Sequence, residues 1–115
     1  EALKAAPPGD PYVQVSDALP LPEFIPGLGT LFVDPNTLPA GPFLAYDHDG
    51  TLSATVYMTP FEDLQNGTAY DDLSVGSHTV SSVDIYYNAG HPGVEKPHAH
   101  VVLYHDADAK GRLAE

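Results

Sequence analysis

Proline and glycine interrupt this chain so often that it favours short strands joined by tight turns. The sequence contains 12 prolines and 10 glycines in 115 residues. Proline removes a backbone donor and fixes φ, and both residue types favour turns. Between the turns the apolar residues are mainly Val, Leu, Tyr and Phe, a set rich in strand-forming types. A chain of this length predicts one small domain.

The segments between the turns predict an antiparallel sheet of about five strands with one short helix, in an α+β or mainly β fold. The predicted strands cover residues 31–33, 42–47, 51–58, 79–87 and 98–105. Asp49-Gly50, between the second and third of them, is a strong signal for a hairpin with a type I′ turn. The third strand alternates apolar and polar residues from Leu52 to Met58, which predicts one buried face and one solvated or site-lining face.

The helix is predicted directly after the third strand. Residues 59–62, Thr-Pro-Phe-Glu, have the form of a capping box with proline at the first helical position, so a short helix should begin there. Asn66-Gly67 should end it within about two turns. The tail from Asp106 is polar and can form a helical turn.

Residues 1–27 form a proline-rich N-terminal arm that differs from the predicted β domain at 28–115. The arm holds half of the prolines, so it cannot be a regular helix or a central strand. Its apolar residues are nevertheless too numerous for a free linker: Tyr12, Val13, Val15, Leu19, Leu21, Phe24 and Ile25. The arm is therefore expected to pack either on its own domain or on a neighbouring subunit. A small domain with such an arm predicts a homo-oligomer.

The charge of the chain argues against nucleic acids and membrane surfaces as partners. Sixteen acidic residues face four basic ones, for a formal net charge of −12. Binding to a phosphate backbone or to anionic lipids requires a basic surface, which four cations cannot supply. The absence of cysteine excludes disulfides and thiolate metal sites. The Pro/Ala-rich residues 5–8 resemble the spacer that often follows an export signal, so a periplasmic or secreted location is expected.

The segment from Phe43 to Leu52 contains D-x-D-G-T-L after an apolar strand, the nucleophile motif of haloacid-dehalogenase-type phosphatases. In those enzymes both aspartates lie around Mg²⁺, and the first attacks phosphorus. That fold needs a parallel α/β sheet with further motifs downstream, but only 68 residues follow Asp47. The residues after Leu52 also alternate as a strand and do not open a helix. Asp47 and Asp49 are therefore interpreted as hairpin residues.

The histidines between positions 91 and 105 form the strongest candidate site for chemistry. Four of the six histidines lie in this stretch. Residues i and i+2 of a strand point to the same face, roughly 7 Å apart, so His98 and His100 can converge on one metal ion. His91, in the preceding Gly/Pro turn, is predicted to fold back as a third ligand. His105 has the opposite parity along the strand and is a secondary candidate.

Three acidic residues are candidates for a further ligand or a general base: Asp84, Glu95 and Glu62. Asp84 is the most interesting, because a carboxylate in an otherwise apolar strand usually has a partner. Imidazole ligands suit Zn²⁺ or Cu²⁺, and also Ni²⁺. The alternative is a polar cluster in which the rings bind backbone carbonyls and tyrosine hydroxyls and fix the turn. The two other histidines, His48 and His78, lie beside turns and are expected to be solvated.

Three segments carry specific motifs. They are L-P-x-G-P-F-L-A-Y-D-x-D-G at 38–50, V-Y-M-x-P at 56–60 and N-A-G-H-P-G-V-x-x-P-H-x-H-x-V-L-x-H at 88–105. On these motifs, residues 29–105 resemble an uncharacterised bacterial family found in thermophiles among other hosts. The resemblance implies an exported protein with shared histidines at positions 91, 98, 100 and 105, and it implies no established activity. A more distant pattern that this family resembles has P-H-x-D-x-H where this chain has Pro-His-Ala-His-Val-Val at 97–102. This difference changes the set of ligands, so the resemblance does not identify the metal.

Three hypotheses follow for the function. The first is a non-catalytic, exported metal-binding protein that holds Zn or Cu through His98, His100 and His91. The second is a metal-dependent enzyme whose site keeps one position open for water, with Asp84 or Glu95 as the base. The third is a structural, homo-oligomeric assembly protein without metal, in which the histidines only brace the turn.

Overall fold

One antiparallel sheet of six strands organises the chain in a computed structural model that describes residues 2–77 and 79–115. His78, predicted to be solvated, lies outside the described residues. The strands are β1 (Val13–Gln14), β2 (Thr30–Val33), β3 (Phe43–Tyr46), β4 (Leu52–Pro60), β5 (Ser82–Asn88) and β6 (His98–Tyr104). Their order across the sheet is β1-β2-β3-β4-β6-β5, and every neighbouring pair is antiparallel. This architecture confirms the predicted fold class.

Three short helices accompany the sheet in the described residues: α1 (Val15–Ala18), α2 (Phe61–Gln65) and α3 (Ala109–Leu113). Two 3₁₀ turns, at Ala2–Lys4 and Pro35–Thr37, complete the regular structure of this part of the chain. None of the helices formed by residues 2–77 and 79–115 is long and apolar enough to span a membrane.

Helix α2 is the helix that the capping-box pattern predicted, but its start differs from the prediction. Thr59 still belongs to β4, the N-cap is Pro60, and no side chain caps the helix. The long pairing of β4 with β6, which runs to Pro60 opposite His98, extends the strand over the expected cap. The helix ends at Gln65, with Asn66 as its C-cap and Gly67 next at a φ of 93°, as the Asn-Gly pair predicted.

The N-terminal arm packs on its own domain. Its residues 13–14 form β1, which adds a sixth strand beside β2. Val15 is buried in the main core, and Leu19, Leu21 and Ile25 pack against the same core. A first segment of the arm covers the opposite face of the sheet, where Leu3, Ala6 and Tyr12 pack on a second apolar cluster.

Of the two alternatives predicted for the polar face of β4, solvated or site-lining, the solvated one is wrong, because all nine residues of the strand are buried. Ala54, Val56 and Met58 belong to the main core, whereas Leu52 joins the second cluster. This change of side accompanies a register shift between Ala45 and Tyr46 in the pairing of β3 with β4. The second face of β4 is covered from two parts of the chain. The arm packs on the cluster that contains Leu52. The polar side chains meet residues 74–76, where the hydroxyl of Tyr57 donates to the carbonyl oxygen of Ser74 and Oγ1 of Thr55 accepts from the N–H of Gly76.

Asp47 acts as a hairpin residue in the structure. Its Oδ1 accepts hydrogen bonds from the backbone N–H groups of Asp49 and Thr51, both at 2.9 Å. Its Oδ2 accepts from Nε of Arg112, at 2.8 Å, which ties the hairpin to α3. Burial opposes ionisation, but these hydrogen bonds and the guanidinium charge outweigh it and lower the pKa of Asp47. The phosphatase-like motif thus has a structural role: Asp47 connects the turn between β3 and β4 to the C-terminal helix α3.

Candidate metal centre

Three histidine side chains meet at one end of the sheet. His98 and His100 lie on β6 and His91 lies in the loop before it, and their Nε2 atoms face one another. The Nε2 atom of His98 is 2.9 Å from that of His100 and 3.1 Å from that of His91. The Nε2 atoms of His91 and His100 are 3.3 Å apart. Ligands at 2.0–2.1 Å in a tetrahedral zinc site lie about 3.3 Å from one another, so the spacing is close to that of a metal site.

Strand β6 supplies two of the three rings by simple alternation. His98 and His100 are two residues apart, so both point to the core face of the sheet. Their strand lies between β4 and β5, where Met58 and Tyr86 pair with His100 and Pro60 and Asn88 pair with His98. Both histidines are buried, at 0% and 2% exposure. The surrounding strands therefore hold the two rings in place.

The third ring comes from a tight loop that bends back over β6. His91 and Val94 exchange two backbone hydrogen bonds of 3.0 Å, which closes the loop. Gly90 has a φ of +132°, a conformation that side-chain-bearing residues rarely adopt. A Cβ at this position would lie 2.5 Å from the carbonyl oxygen of Glu95. Glycine at position 90 is thus required for the turn that delivers His91.

The other ring nitrogen of each histidine contacts an oxygen atom outside the cluster. Nδ1 of His98 donates to the carbonyl oxygen of Lys96 at 2.7 Å, and Nδ1 of His91 donates to that of Pro92 at 3.1 Å. Nδ1 of His100 lies 3.3 Å from the hydroxyl oxygen of Tyr86. Metal-ligating histidines commonly make such a bond through the nitrogen that does not bind the metal, because it fixes the tautomer and the ring orientation.

This hydrogen-bond pattern leaves unshared electron pairs facing one another. A carbonyl oxygen only accepts, so a neutral His91 or His98 carries its proton on Nδ1 and a lone pair on Nε2. The two Nε2 atoms that carry these lone pairs are 3.1 Å apart. They repel unless a cation lies between them, and both rings are positioned to donate electrons to the same point. The arrangement suits a metal ion better than a network of neutral hydrogen bonds.

The protonation state of the buried pair also favours metal binding. Burial, reinforced by the neighbouring rings of His98 and His91, lowers the pKa of His100 to about 4. Burial likewise lowers the pKa of His98, opposed by the Lys96 carbonyl and assisted by His91. Both rings are therefore neutral at pH 7. A metal ion need not displace a proton from either ring, since the neutral imidazole is the ligating form.

The remaining candidates from the sequence lie away from the three rings. His105 is on the opposite face, as its parity predicts, where Nε2 lies 2.7 Å from Oγ1 of Thr55 and Nδ1 lies 2.7 Å from the carbonyl oxygen of Thr79. Asp84 accepts hydrogen bonds from Nζ of Lys110 at 2.8 Å and from the hydroxyl of Tyr104 at 3.2 Å.

The acidic residues near the loop are also elsewhere. Glu95 is exposed, and Glu62 pairs with Nζ of Lys96 at 3.1 Å. Among residues 2–77 and 79–115, the group of side chains that can share one metal ion contains His91, His98 and His100 alone. Asp84 is paired, as its position in an apolar strand predicted, but its partners are Lys110 and Tyr104 and not a histidine of the cluster. His48 is exposed, as expected, and its ring stacks on Phe24.

Sequence reasoning did not single out Tyr86 as a partner of the site. The pairing of β5 with β6 places it directly opposite His100. The alternation of β5 put Asp84 and Tyr86 on one face, but only the strand register shows which of them lies against a histidine. The signal in the sequence was a His-x-His pair on one strand and a tyrosine on the strand before it, and the register of the two strands was needed to predict their contact.

An apolar cavity of about 180 Å³ adjoins two histidines of the cluster, His91 and His100. Its wall combines the arm with the core face of the sheet, and the rings of His91 and His100 form part of it. The residues of the arm that line it are Val15, Leu19, Leu21 and Ile25. On one side the histidines therefore pack against β5 and β6, and on the other side they border the apolar cavity.

Comparison with solved structures finds a similar fold in the crystal structure of the hypothetical protein TTHB210 from Thermus thermophilus. The sequences are 41% identical, the match covers 83% of this chain and 94% of that chain, and the TM-score is 0.71. No family model and no curated protein matches this chain.

Proposed function

The chain belongs to the same family as the hypothetical protein TTHB210 from Thermus thermophilus, and we propose that it is a metal-binding protein with one three-histidine site. His91, His98 and His100 are the proposed ligands, and Zn²⁺ or Cu²⁺ is the proposed ion. One observation carries the proposal: three Nε2 atoms lie 2.9 to 3.3 Å apart, while each Nδ1 atom contacts an oxygen on the outside.

The donor set supports the choice of ion. Three imidazoles without a thiolate suit Zn²⁺ and Cu²⁺, whereas Cu⁺ prefers sulfur ligands. Three protein ligands leave the fourth tetrahedral position for water or another small ligand, which is the pattern of open zinc sites. A closed structural site would need a fourth side chain, and the cluster has three among the described residues.

A non-catalytic role is favoured over a metal-dependent enzyme because the proposed bases are elsewhere. Asp84 is engaged by Lys110 and Tyr104, and Glu95 is exposed. Water activation in such enzymes uses a general base within hydrogen-bond reach of the metal-bound water. The open position and the adjoining cavity favour binding of a further ligand. An extracytoplasmic location remains a prediction that fractionation of the host cells tests.

Metal analysis of the purified chain tests the proposal. Protein stripped with a chelator and dialysed against Zn²⁺ or Cu²⁺ is expected to retain one ion per chain at neutral pH. His98→Gln and His100→Gln should each weaken binding by at least about 100-fold, more than the loss of a hydrogen-bond partner of a ligand causes. His48→Gln is the matched control, because His48 is exposed and away from the cluster.

The alternative assembly function predicts a different result in the same experiment. If the histidines only brace the loop, the wild-type chain retains no stoichiometric ion, and His98→Gln changes thermal stability alone. Stoichiometric binding that survives both His98→Gln and His100→Gln would also contradict the proposed site. Circular dichroism of each variant shows whether the sheet is intact.

A further inference from the structure

The cavity beside His91 and His100 is unusual for the core of so small a domain. Well-packed protein interiors leave few voids larger than a water molecule, and unfilled apolar space lowers stability. This cavity has a volume of about 180 Å³ and is bounded by the arm on one side and by β2, β3 and β4 on the other. An apolar cavity of about 150 Å³ is known to accept benzene, so the space suits a ligand with a body of about one aromatic ring.

The polar groups of the cavity wall are few, and two of them are proposed metal ligands. Among the residues that the structure describes, the polar side chains in the wall are Asn88, His91 and His100. Asn88 is the β5 partner of His98, so it lies at the same end of the sheet. An occupant can therefore satisfy a polar head only at this end, and the rest of its surface meets apolar side chains.

Electrostatics then select the sign of that head. A divalent ion held by three neutral imidazoles keeps its full charge of +2 in a largely buried site, and an uncompensated buried charge is strongly unfavourable. The described residues place no carboxylate in the cluster that could offset it. The compensating anion must therefore come from outside the protein, and the fourth ligand position is where it can bind the metal.

Access to the cavity is available from the surface. Leu38 lines the cavity and is 36% exposed, and His91 and Pro92 in its wall are only partly buried. The opposite wall is formed by arm residues that pack against the core without belonging to the sheet, such as Leu21 and Ile25. A small molecule can thus reach the metal position without opening the sheet.

We propose that the cavity binds a small apolar carboxylate, whose carboxylate ligates the metal at the fourth position and whose body fills the space under the arm. The inference rests on the proposed metal site and adds a ligand class to it. Binding changes no covalent bond, so the protein acts as a metal-dependent receptor or carrier for the ligand. The size of the cavity sets the upper limit for the body at about one ring.

The experiment uses benzoate as the probe and the Co²⁺-loaded chain as the reporter. Metal content is measured first, and benzoate is then titrated while the visible absorption of Co²⁺ and the heat of binding are recorded. Benzoate is expected to change the Co²⁺ spectrum and to bind at least about tenfold more tightly than acetate, because acetate lacks the apolar body. It should also bind at least tenfold more tightly to the metal-loaded chain than to the metal-free chain.

Substitutions in the cavity wall separate the ligand from the metal. Leu21→Trp and Ile25→Phe each add volume next to the cavity, so they should weaken benzoate binding at least tenfold and leave Co²⁺ affinity unchanged. Two variants are used because a larger ring at either position can also turn toward solvent, and circular dichroism confirms that each is folded. Leu64→Trp, on the exposed side of α2, is the matched control and should bind benzoate as the wild type does.

Each result has a distinct meaning. Stoichiometric metal with no spectral response to benzoate overturns the cavity proposal and leaves the metal site standing. Failure to bind metal overturns both proposals. Equal affinity for benzoate and acetate, or benzoate binding that survives both cavity variants, shows that the anion binds the metal without using the cavity and so contradicts the inference.

Discussion

Each histidine of the cluster is held by an oxygen atom, and the kind of oxygen differs among them. His91 and His98 bind carbonyl oxygens of their own loop, at Pro92 and Lys96, whereas His100 contacts the hydroxyl of Tyr86 on the neighbouring strand. A carbonyl oxygen cannot donate, so the first two rings have one available tautomer. A tyrosine hydroxyl can donate or accept, and His100 is therefore the ring whose tautomer a bound metal fixes.

Tyr86→Phe should weaken metal binding without removing a ligand. The substitution deletes the oxygen that accepts the Nδ1 proton of His100 when Nε2 binds the ion, at a present distance of 3.3 Å. Loss of such a partner typically costs about 10–100-fold in metal affinity. A competition titration against a chelator of known affinity measures the change. The ring itself remains, so the packing of Tyr86 against His100 should persist.

Tyr87→Phe is the matched control for that measurement. Tyr87 is the next residue on β5, points to the opposite face, and is 63% exposed. Its ring stacks on Phe61 and has no hydrogen bond to the cluster in the described structure. Unchanged affinity in Tyr87→Phe and a decrease in Tyr86→Phe are expected; an equal effect of both would assign the change to β5 as a whole.

At the scale of elements, strand parity was sufficient to predict that His98 and His100 lie on one face of the sheet, but not that they are buried there. The shared face of His98 and His100 follows from alternation alone, and the position of the Asp-Gly hairpin follows from turn chemistry. The predicted type I′ turn is wrong, because that turn needs a positive φ at both central residues, and Gly50 has one (φ +78°) whereas Asp49 does not. The return of His91 was predicted from its turn, but its exact approach depends on Gly90 and on bonds between His91 and Val94 that no local pattern specifies.

The burial of both faces of β4 could not be predicted from the strand itself. Its sequence alternates, and the polar face would be solvated if the sheet stood alone. The covering elements come from distant parts of the chain: Tyr12 packs on the second apolar cluster, and the hydroxyl of Tyr57 donates to the carbonyl oxygen of Ser74. The C-terminal tail was similarly interpreted as polar, but Ala109 and Leu113 of α3 are buried in the main core. The burial of β4 and of α3 thus depends on long-range packing, which leaves no periodic pattern in the sequence.

Gly90→Ala should separate the delivery of His91 from the stability of the sheet. The added Cβ would lie 2.5 Å from the carbonyl oxygen of Glu95, and the φ of +132° is unfavourable for alanine. The loop must shift, at a cost on the order of 1–3 kcal/mol, and the shift moves His91 away from the other two rings. Metal affinity is expected to fall about tenfold or more, measured by calorimetry, while the two-histidine pair on β6 stays in place.

Gly67→Ala controls for backbone strain without a clash. Gly67 has a φ of +93°, and nothing lies within 4 Å of a Cβ built there. It follows α2 and is not part of the loop that carries His91. This variant should lose some thermal stability and keep wild-type metal affinity. A similar loss of affinity in both variants would mean that global destabilisation, and not the position of His91, weakens the site.

At the scale of the whole molecule, the sheet leaves one apolar edge open in the described structure. β5 is an outer strand, and on one face it exposes Val83, Ile85 and Tyr87 at 47%, 69% and 63%. Its seven residues contain neither proline nor lysine, two of the usual means by which edge strands avoid pairing. The arm, which was a candidate for contact with a neighbouring subunit, packs on its own domain.

We propose that two copies of the chain pair through β5 in an antiparallel arrangement centred on Ile85. In that register Val83 faces Tyr87 of the second copy, Ile85 faces Ile85, and Asp84 faces Tyr86, so no like charges are opposed. Apolar and aromatic cross-strand pairs of this kind are stabilising, and the pairing satisfies the free backbone groups of both edges. This self-complementarity matters for a chain of net charge −12, whose copies repel one another over most of their surfaces.

Ile85→Lys should convert the assembly to monomers. In the symmetric register two lysines would face each other across the interface, and like charges in directly opposite positions are destabilising. Sedimentation equilibrium at tens of micromolar protein is expected to give a dimer or larger species for the wild type and about 12 kDa for Ile85→Lys, the mass of one chain. Leu64→Lys, which places the same charge on a residue 44% exposed on α2, should keep the wild-type mass. A monomeric wild type, or a variant at Ile85 that still associates, would show that β5 is not the interface.

Because His100 contacts Tyr86, which lies on β5 with Ile85, the dimer should also hold the metal site more firmly. The metal affinity of Ile85→Lys reports how far the paired edge supports the cluster.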